Sequence, residues 1–423
     1  MHNSTLLFIR SDIRFRSSDA NLRKIREIDI NFNNFVGLYK NLKHYLNMSV
    51  VIKPVNSKKD FSSFARFGNK LYKESSFYVP SMPADDIVTF DRNKNAAFEF
   101  CEAEYFLAYK GNEIVGRVAA IVNYKANKAW NVEQVRFGWF DFIDDLEVSK
   151  ALLDAVIAFG KSKGMNQIVG PLGFTDFDPE GMLVDGFDRM CTMALFYNHP
   201  YYPEHMKKLG YVKQTGWLEY RITIPTEVPE RLKELSQIVL KRYNLKLVKK
   251  TKAQVKRENY GQKIFQLINE TYCGLYGFSL LSPKQIDQFV DTYLSVINMN
   301  LLTFIETKEG ELIGTAITMP SIAKALQKCR GEILPIGWWH ILKAMYWKPT
   351  DTLELLLIGV RPDYQNKAIN SVLCVDIMEN CHKMGFRYAE TNANLEDNIK
   401  IQAMWEPFEK EQHKKRWVFG KEI

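Results

Sequence analysis

No part of this chain restricts its fold more than the stretch from Leu353 to Glu390. Leu353 to Val360 reads LELLLIGV, a short apolar run bounded by turn residues, which is the pattern of a buried strand. A polar turn follows, Arg361-Pro362-Asp363-Tyr364-Gln365-Asn366-Lys367-Ala368. From Ile369 the apolar residues Val372, Leu373, Ile377, Cys381 and Met384 recur at helical spacing, and Gly385 supplies a stop. Phe386 to Glu390 then reads as a second strand. Strand, turn, helix and strand in that order belong to a sheet covered by helices, so the fold class is α/β (α+β). The turn leads into a helix N-terminus, where unpaired N–H groups and the helix dipole favour a phosphate. Arg361 and Lys367 add positive charge beside it.

These residues resemble the acyl-CoA-binding motif of the GNAT (GCN5-related N-acyltransferase) superfamily. In that motif a strand ending in Val, an Arg-Pro-x-Tyr turn and a Q/R-x-x-G-x-G/A loop hold the CoA diphosphate on backbone amides. Here Gln365 fits, while both glycine positions are filled, by Ala368 and Asn370. Glycine is favoured where a ligand approaches the backbone closely, so the two substitutions narrow that approach. The resemblance implies a bound acyl-CoA, acetyl-CoA or a longer chain. Its expected contacts are Ile358, Gly359, Val360, Arg361, Gln365, Asn366, Lys367, Ala368, Ile369, Asn370 and, further on, Asn398.

The same unit recurs earlier. Val135 to Phe142 reads as a strand, and Glu147 to Lys163 as a helix with Val148, Ala151, Leu152, Ala155, Val156 and Phe159 on one face. Gly164 stops it, and Gln167-Ile168-Val169-Gly170 begins the next strand. Gly164 and Gly385 are 221 residues apart, as are Leu152 and Leu373, which suggests one fold in two tandem copies. At that offset Asp144, Asp145 and Glu147 stand where the second copy has Gln365, Asn366 and Ala368. Three carboxylates suit a helix N-terminus but repel a diphosphate, so the first copy is expected to leave CoA to the second. The expected division is a non-core leader over residues 1–47, an N-terminal GNAT-like domain over 48–224 without a CoA loop, and an acyl-CoA-binding C-terminal domain over 225–423. Each domain is expected to be a mixed, mostly antiparallel twisted sheet flanked by helices. Met48, just ahead of the strand-like Val50 to Val55, reads as the true start of translation. A hairpin is expected to close the first half at Ile224, with a short proline-flanked junction from Pro225 to Pro229 behind it.

Further segments are similar, as a set, to one bacterial group within the superfamily. They are Gly170-Pro171-x-x-Phe174 with Gly181-x-Leu183-Val184-x-Gly186-Phe187-Asp188, then Tyr197-Asn198-x-Pro200-Tyr201-Tyr202, Pro335-x-Gly337-Trp338 and Leu395-Glu396-Asp397-Asn398. Relatives of that group include bacterial ceramide synthases, which transfer a fatty acyl group from acyl-CoA to the amine of a sphingoid base. Substrate contacts are expected from Phe174, Asp178 and Trp338. The loop from Gly170 to Asp188 also fits a pair of tight turns whose Asp side chains bond the backbone.

Acyl transfer from a thioester to an amine needs a base for the amine proton, a donor for the carbonyl, and tolerance of the leaving thiolate. Glu354 lies 11 residues before Gln365, where the resemblance places the base. A charge inside an apolar strand is costly unless used or paired, although an exposed strand end accounts for it equally well. Glu390, on the next strand, is the second candidate. The resemblance places a thiolate-protonating Tyr seven residues after Asn398, but Trp405 stands there, and an indole donates only a hydrogen bond. Tyr201 or Tyr202, reaching across from the first half, is the candidate to replace it. The expected function is an acyl-CoA-dependent N-acyltransferase acting on a small-molecule or lipid amine, with a long-chain sphingoid base as one such acceptor. Its rivals are a degenerate GNAT pair serving as a scaffold, and an aminoacyl transferase with the same doubled fold.

Composition bounds the setting. The formal charge is +8, but residues 1–47 hold eight Lys/Arg against four Asp/Glu, which leaves +4 for the rest and no nucleic-acid signature. Six cysteines without a C-x-x-C pair suit a reduced cytoplasmic chain, and seven histidines form no metal-binding pattern. No apolar run approaches the ~20 residues of a membrane-spanning helix. Ile333 to Trp347 is strongly apolar with aromatic residues at both ends, and reads either as a core helix or as an interfacial element in peripheral contact with the inner membrane face. Thr271 to Phe278, rich in Gly and aromatics, reads either as a packed turn or as the lining of a substrate channel.

Overall fold

The computed structural model describes residues 49–293, 297–347 and 350–423. The expected leader over residues 1–47 and the start at Met48 lie outside the described residues. Two compact units divide the chain, one of Met1–Val50 with Lys110–Glu113, the other of Val51–Tyr109 with Ile114–Ile423. The second holds everything that bears on the site.

In chain order the strands are β1 (Val50–Pro54), β2 (Cys101–Lys110), β3 (Glu113–Asn123), β4 (Gln134–Phe142), β5 (Gln167–Gly170), β6 (Met182–Asp185) and β7 (Val212–Thr223). They continue as β8 (Leu245–Val248), β9 (Leu302–Thr307), β10 (Leu312–Pro320), β11 (Thr352–Val360), β12 (Tyr388–Thr391), β13 (Asn394–Leu395) and β14 (Lys410–Glu422). The helices referred to below are α1 (Lys58–Leu71), α2 (Leu146–Ser162), α3 (Tyr201–Lys208), α4 (Tyr260–Tyr272), α5 (Ala323–Cys329), α6 (Gly337–Leu342), α7 (Ile369–Met384) and α8 (Ile399–Met404).

Periodicity explains the two long crossover helices. α2 buries Val148, Leu152, Leu153, Val156 and Phe159, and α7 buries Ile369, Val372, Leu373, Cys374, Met378 and Cys381. At roughly 1.5–3 kcal/mol for each large aliphatic side chain, that stripe outweighs the modest helix propensity of the β-branched residues. Gly164 and Gly385 turn the chain away with φ of 78° and 77°, so the shared 221-residue offset holds at the helix ends. It fails at the turns before them. Three residues, 143–145, join β4 to α2, whereas eight, 361–368, join β11 to α7. Asp144 and Asp145 therefore have no true counterpart in the Gln365 loop.

Among the described residues the strands form one sheet in the order β1-β2-β3-β4-β5-β14-β7-β12-β11-β10-β9-β8, with β6 beside β14 and β13 beside β7. Each half contributes one parallel pair around its crossover helix, β4 with β5 and β11 with β12. The last strands are exchanged. β7, from the first half, pairs with β12 and β14, while β14, from the second, pairs with β5 and β7. The expected hairpin ending at Ile224 is thus a single twelve-residue strand partnered from more than 160 residues away. Strand patterning reads out burial but not the partner, and here long-range packing chose it.

A β-bulge shapes each copy. In β11 the register slips so that Ile317 faces Leu357 while Thr318 faces Leu355, which leaves Leu356 as an extra residue. In β4, Arg117 faces Asp141 while Ala119 faces Gly138. Bulges bend a strand and re-aim its side chains, and they often adjoin functional sites.

Candidate active site

The two parallel pairs part company differently. β11 and β12 are in register only from Thr352↔Tyr388 to Leu355↔Thr391, and the last tie is the Asn392 N–H on the Leu355 carbonyl (3.1 Å). Beyond it β12 gives way to β13, which pairs with β7, so the edge of β11 from the Leu356 bulge onward is left open. At Ile358 the hydroxyl of Tyr272, the last residue of α4, donates to the carbonyl (3.0 Å) and accepts from the N–H (3.3 Å). In the first copy the gap is shut. The N–H of Leu172 donates to the Phe137 carbonyl (2.9 Å), and a Cβ added at Gly138 would come 2.5 Å from the Leu172 carbonyl.

At the far end of β11 lies the mouth of α7. Asn366 and Ala368 take left-handed backbone, with φ of 61° and 56°. Ala368 keeps the conformation that glycine serves more cheaply, at a cost of about 1–2 kcal/mol. The side chains of Asn366, Ala368 and Asn370 are exposed, and no hydrogen bond claims the amides of residues 366–370 among the described residues. In the first copy, by contrast, Asp145 caps the helix by accepting from the Glu147 N–H (2.9 Å).

The expected contacts at this mouth fare unequally. Arg361 is already neutralised, forked onto Asp363 (2.7 and 3.0 Å) and reaching Glu311 (3.2 Å). Lys367 lies over the rings of Tyr243 and Tyr364, 5.3 and 4.6 Å from their centroids, with no carboxylate partner among the described residues. Gln365 donates to the Val360 carbonyl (3.2 Å) and accepts from Lys400 (2.9 Å), which brings in a cation that sequence spacing did not flag. Asn398 caps α8 through the Ile401 N–H (3.3 Å). Val360 and Ile369 are buried, and Gly359 backs onto Ile268 and Thr271.

Where β11 and β12 still pair, Glu354 stands opposite Glu390. Glu354 is 2% exposed, so it is no exposed strand end, and neither carboxylate oxygen has a well-formed hydrogen bond among the described residues, although the Ser321 side chain and the Met193 backbone approach it. Burial, aided by the neighbouring Glu390 carboxylate, pushes its pKa up to about 7, with Ser321 and Lys414 pulling the other way. Burial raises Glu390 as well. Glu390 lies 3.5 Å from Lys414, whose ammonium also meets Glu219 (3.1 Å) and donates to the Met190 carbonyl (2.9 Å). Arg416 donates to Glu219 (2.6 Å) and to the Phe196 carbonyl (2.6 Å). Burial alone would raise Glu219, but Lys414 and Arg416 outweigh it and hold it at about 2.

The segment from Met182 to Asn198 roofs this charged row. Asn198 pins it by accepting from the Leu183 N–H (2.7 Å) and donating to the Leu183 carbonyl (3.0 Å). Gly186 (φ 82°) lies so close to β14 that a Cβ there would come 2.1 Å from the His413 carbonyl. Glu219, Lys414 and Arg416 escaped the sequence reading, and Tyr272 entered it only within the Thr271 to Phe278 stretch. The run His413-Lys414-Lys415-Arg416 has the letters of a solvated edge strand, and only its place between β5 and β7 buries it.

Other expected site residues lie elsewhere. Tyr202 is buried in the first half, its hydroxyl 2.5 Å from that of Tyr72 and accepting from the Phe142 N–H (3.0 Å), while Tyr201 donates to the Phe142 carbonyl (2.5 Å). Burial raises the pKa of both phenols, and neither is bonded to Glu354 or Glu390. Phe174 is fully buried against Phe98 and Trp139 in the first-half core. Asp178 bonds its own turn, accepting from the Thr175 N–H (3.0 Å). Trp338 is exposed, well away from the charged row in sequence and fixed by its N–H on the Pro335 carbonyl (3.0 Å). Trp405 is buried, donating to Asn394 (3.2 Å).

No protein-family model matches the chain. Protein YghO of Escherichia coli (strain K12) is 24% identical over 399 residues, 91% of this chain and 99% of that protein. A bacterial ceramide synthase of Caulobacter vibrioides (strain NA1000 / CB15N) is 22% identical over 368 residues, 83% of this chain and 92% of the relative. Among solved structures, a tandem GNAT protein from the clavulanic acid biosynthesis pathway aligns with a TM-score of 0.51 at 11% identity, over 88% of this chain and 98% of that one. The GCN5-related glucosamine N-acetyltransferase region of a fungal multi-domain β-N-acetylglucosaminidase aligns with a TM-score of 0.53 at 10% identity, over 88% of this chain and 38% of that one. With two copies of the strand–turn–helix–strand unit in one sheet, the chain has the fold of the tandem GNAT proteins, and its sequence is similar to the Escherichia coli and Caulobacter proteins.

Proposed function

We propose that this protein is an acyl-CoA-dependent N-acyltransferase, in which residues 225–423 hold acyl-CoA and residues 48–224 shape the acceptor site. One observation carries the reading. The gap where β11 and β12 part runs from a buried Glu354 with a pKa near 7 to the unclaimed amides ahead of α7.

The mouth of α7 suits a diphosphate through its left-handed turn, its free amides and the charges of Lys367 and Lys400. The shorter, Asp-capped turn and filled gap of the first copy support assigning CoA to the second alone. When bound, acyl-CoA supplies an acyl group activated as a thioester. The chain's own groups then divide the work. Glu354, poised near neutral pH, takes the proton that the acceptor ammonium must lose. Glu390 and Lys414 keep a second carboxylate and a fixed positive charge beside it. Tyr272 holds a hydroxyl at the open edge of β11, and release of its bond to the Ile358 carbonyl would free that proton for a bound group, a role that the buried Trp405 indole cannot fill.

The favoured acceptor is a long-chain amine of the sphingoid type, on the strength of the similarity to the Caulobacter protein named bacterial ceramide synthase. Mass spectrometry of reactions holding acyl-CoA and a panel of amines, sphinganine among them, tests the proposal. One amide formed for each CoA released is expected. Acyl-CoA binding without acylation of any amine would replace this reading with that of a scaffold.

A further inference from the structure

The connection from β10 to β11 carries α5 and α6 and presents two opposite faces. One is fastened to the first half. Gln327 donates to the carbonyls of Ser76 and Tyr78 (2.9 Å each), Asn69 donates to the Arg330 carbonyl (3.4 Å), and Arg66 pairs with Glu332 (2.9 Å). Gly331 (φ 75°) approaches so closely that an added Cβ would come 2.0 Å from the Ser81 carbonyl. The other face is left in water, with Leu334 78%, Trp347 63%, Ile336 62%, Trp338 45% and Trp339 43% exposed.

Large apolar side chains gathered on an exposed surface mark an interaction site. These are held as a group, with the Trp339 ring 5.3 Å from Trp347 and 6.0 Å from Trp338. The charges around them are one-sided. Lys324, Lys328, Arg330 and Lys343 are exposed and form no salt bridge among the described residues, Lys324 alone having a carboxylate, Asp351, near enough for its charge to act on. Glu332, the only acidic residue from Ser321 to Trp347, is spent on Arg66. Trp rings and aliphatic side chains set among unpaired cations have the chemistry of an interfacial anchor rather than of a protein–protein core.

We infer that this surface seats the protein on an anionic lipid bilayer, with Leu334, Ile336, Trp338, Trp339 and Trp347 entering the headgroup region and the flanking cations meeting lipid phosphates. Among the described residues no helix is long and apolar enough to cross a membrane, so the contact is with the surface. The placement bears on access. Pro320 and Met319, at the root of this connection, face Leu353 and Glu354, whereas the turn at Arg361 leaves the other end of β11. A lipid amine reaches Glu354 from the seated side and a water-borne acyl donor enters from the opposite one. That consequence rests on the transferase reading, while the seating itself does not.

Sedimentation of the full chain with vesicles of phosphatidylcholine alone, and of equimolar phosphatidylcholine and phosphatidylglycerol, tests the inference, with Trp emission recorded alongside. Binding to the phosphatidylglycerol vesicles about tenfold tighter than to the neutral ones is expected, with emission shifted to the blue. The triple variant Leu334→Ser/Ile336→Ser/Trp347→Ser should lose about tenfold or more on both vesicles. Lys324→Glu/Lys328→Glu should lose about tenfold on the anionic ones only. Circular dichroism checks the fold, and Leu334→Ser alone, expected to weaken binding in part, serves should the triple variant not fold. A wild-type chain left in the supernatant with phosphatidylglycerol vesicles overturns the inference, as does undiminished binding by the variants. A dimer that the triple variant dissolves would assign the patch to a second copy instead, and binding lost only on deleting residues 1–47 would assign the lipid contact to the leader. No acyl-CoA is needed, so failure here is distinct from failure of the transfer assay.

Discussion

Glu354 couples folding to pH. Its folded pKa of about 7 lies above the ordinary value of 4.5, so the native chain keeps a proton there that the unfolded chain releases. The stability tied to it is therefore full below about pH 4.5 and is lost as pH rises through 7, an effect on the order of 3 kcal/mol. Glu354→Gln should accordingly melt above the wild type near pH 8, with the gap closing towards pH 5. A gap that widens in acid would show the carboxyl to be ionised and paired. The position of this residue was legible in the sequence, because a carboxylate stood alone in an apolar run. Its burial was not, since the same letters fit a frayed strand end. Tyr201 and Tyr202 failed for a related reason. Aromatic letters near a junction look available, but their hydroxyls are committed to Tyr72 and the backbone at Phe142.

At the scale of elements, periodicity recovered β4, α2, β11 and α7 nearly residue for residue, because each buries one face. Turn length was misread. The helix-end glycines gave one offset for both copies, and nothing local announces that 361–368 is longer than 143–145. That longer turn hinges on Ala368, held at φ 56°. A β-branched side chain is a poor occupant of left-handed backbone. Ala368→Val should therefore lose on the order of 1–2 kcal/mol in urea unfolding and weaken acyl-CoA binding with it. A variant as stable as the wild type would show that the turn tolerates relaxation and is not a preset cradle.

For the molecule as a whole, the exchange of β7 and β14 makes each half depend on the other. Produced alone, residues 225–423 lack β7 and expose the edges of β12 and β14 to other chains. That fragment should aggregate on size-exclusion chromatography, and co-production with residues 49–224 should restore a soluble pair. A monodisperse, folded fragment would mean that the exchanged strand is dispensable. The sequence pointed to a repeated strand–turn–helix–strand unit but could not show that the final strands trade places, since partner choice is written in contacts far apart along the chain. The whole arrangement brings one open helix mouth and one buried carboxylate to opposite ends of β11. Calorimetric titration with acyl-CoA tests that arrangement most directly. Saturable one-to-one binding is expected, weakened about tenfold or more by Lys367→Glu and unchanged by Asp145→Ala in the first copy. No binding by the wild type, or an affinity that Lys367→Glu leaves intact, would contradict it.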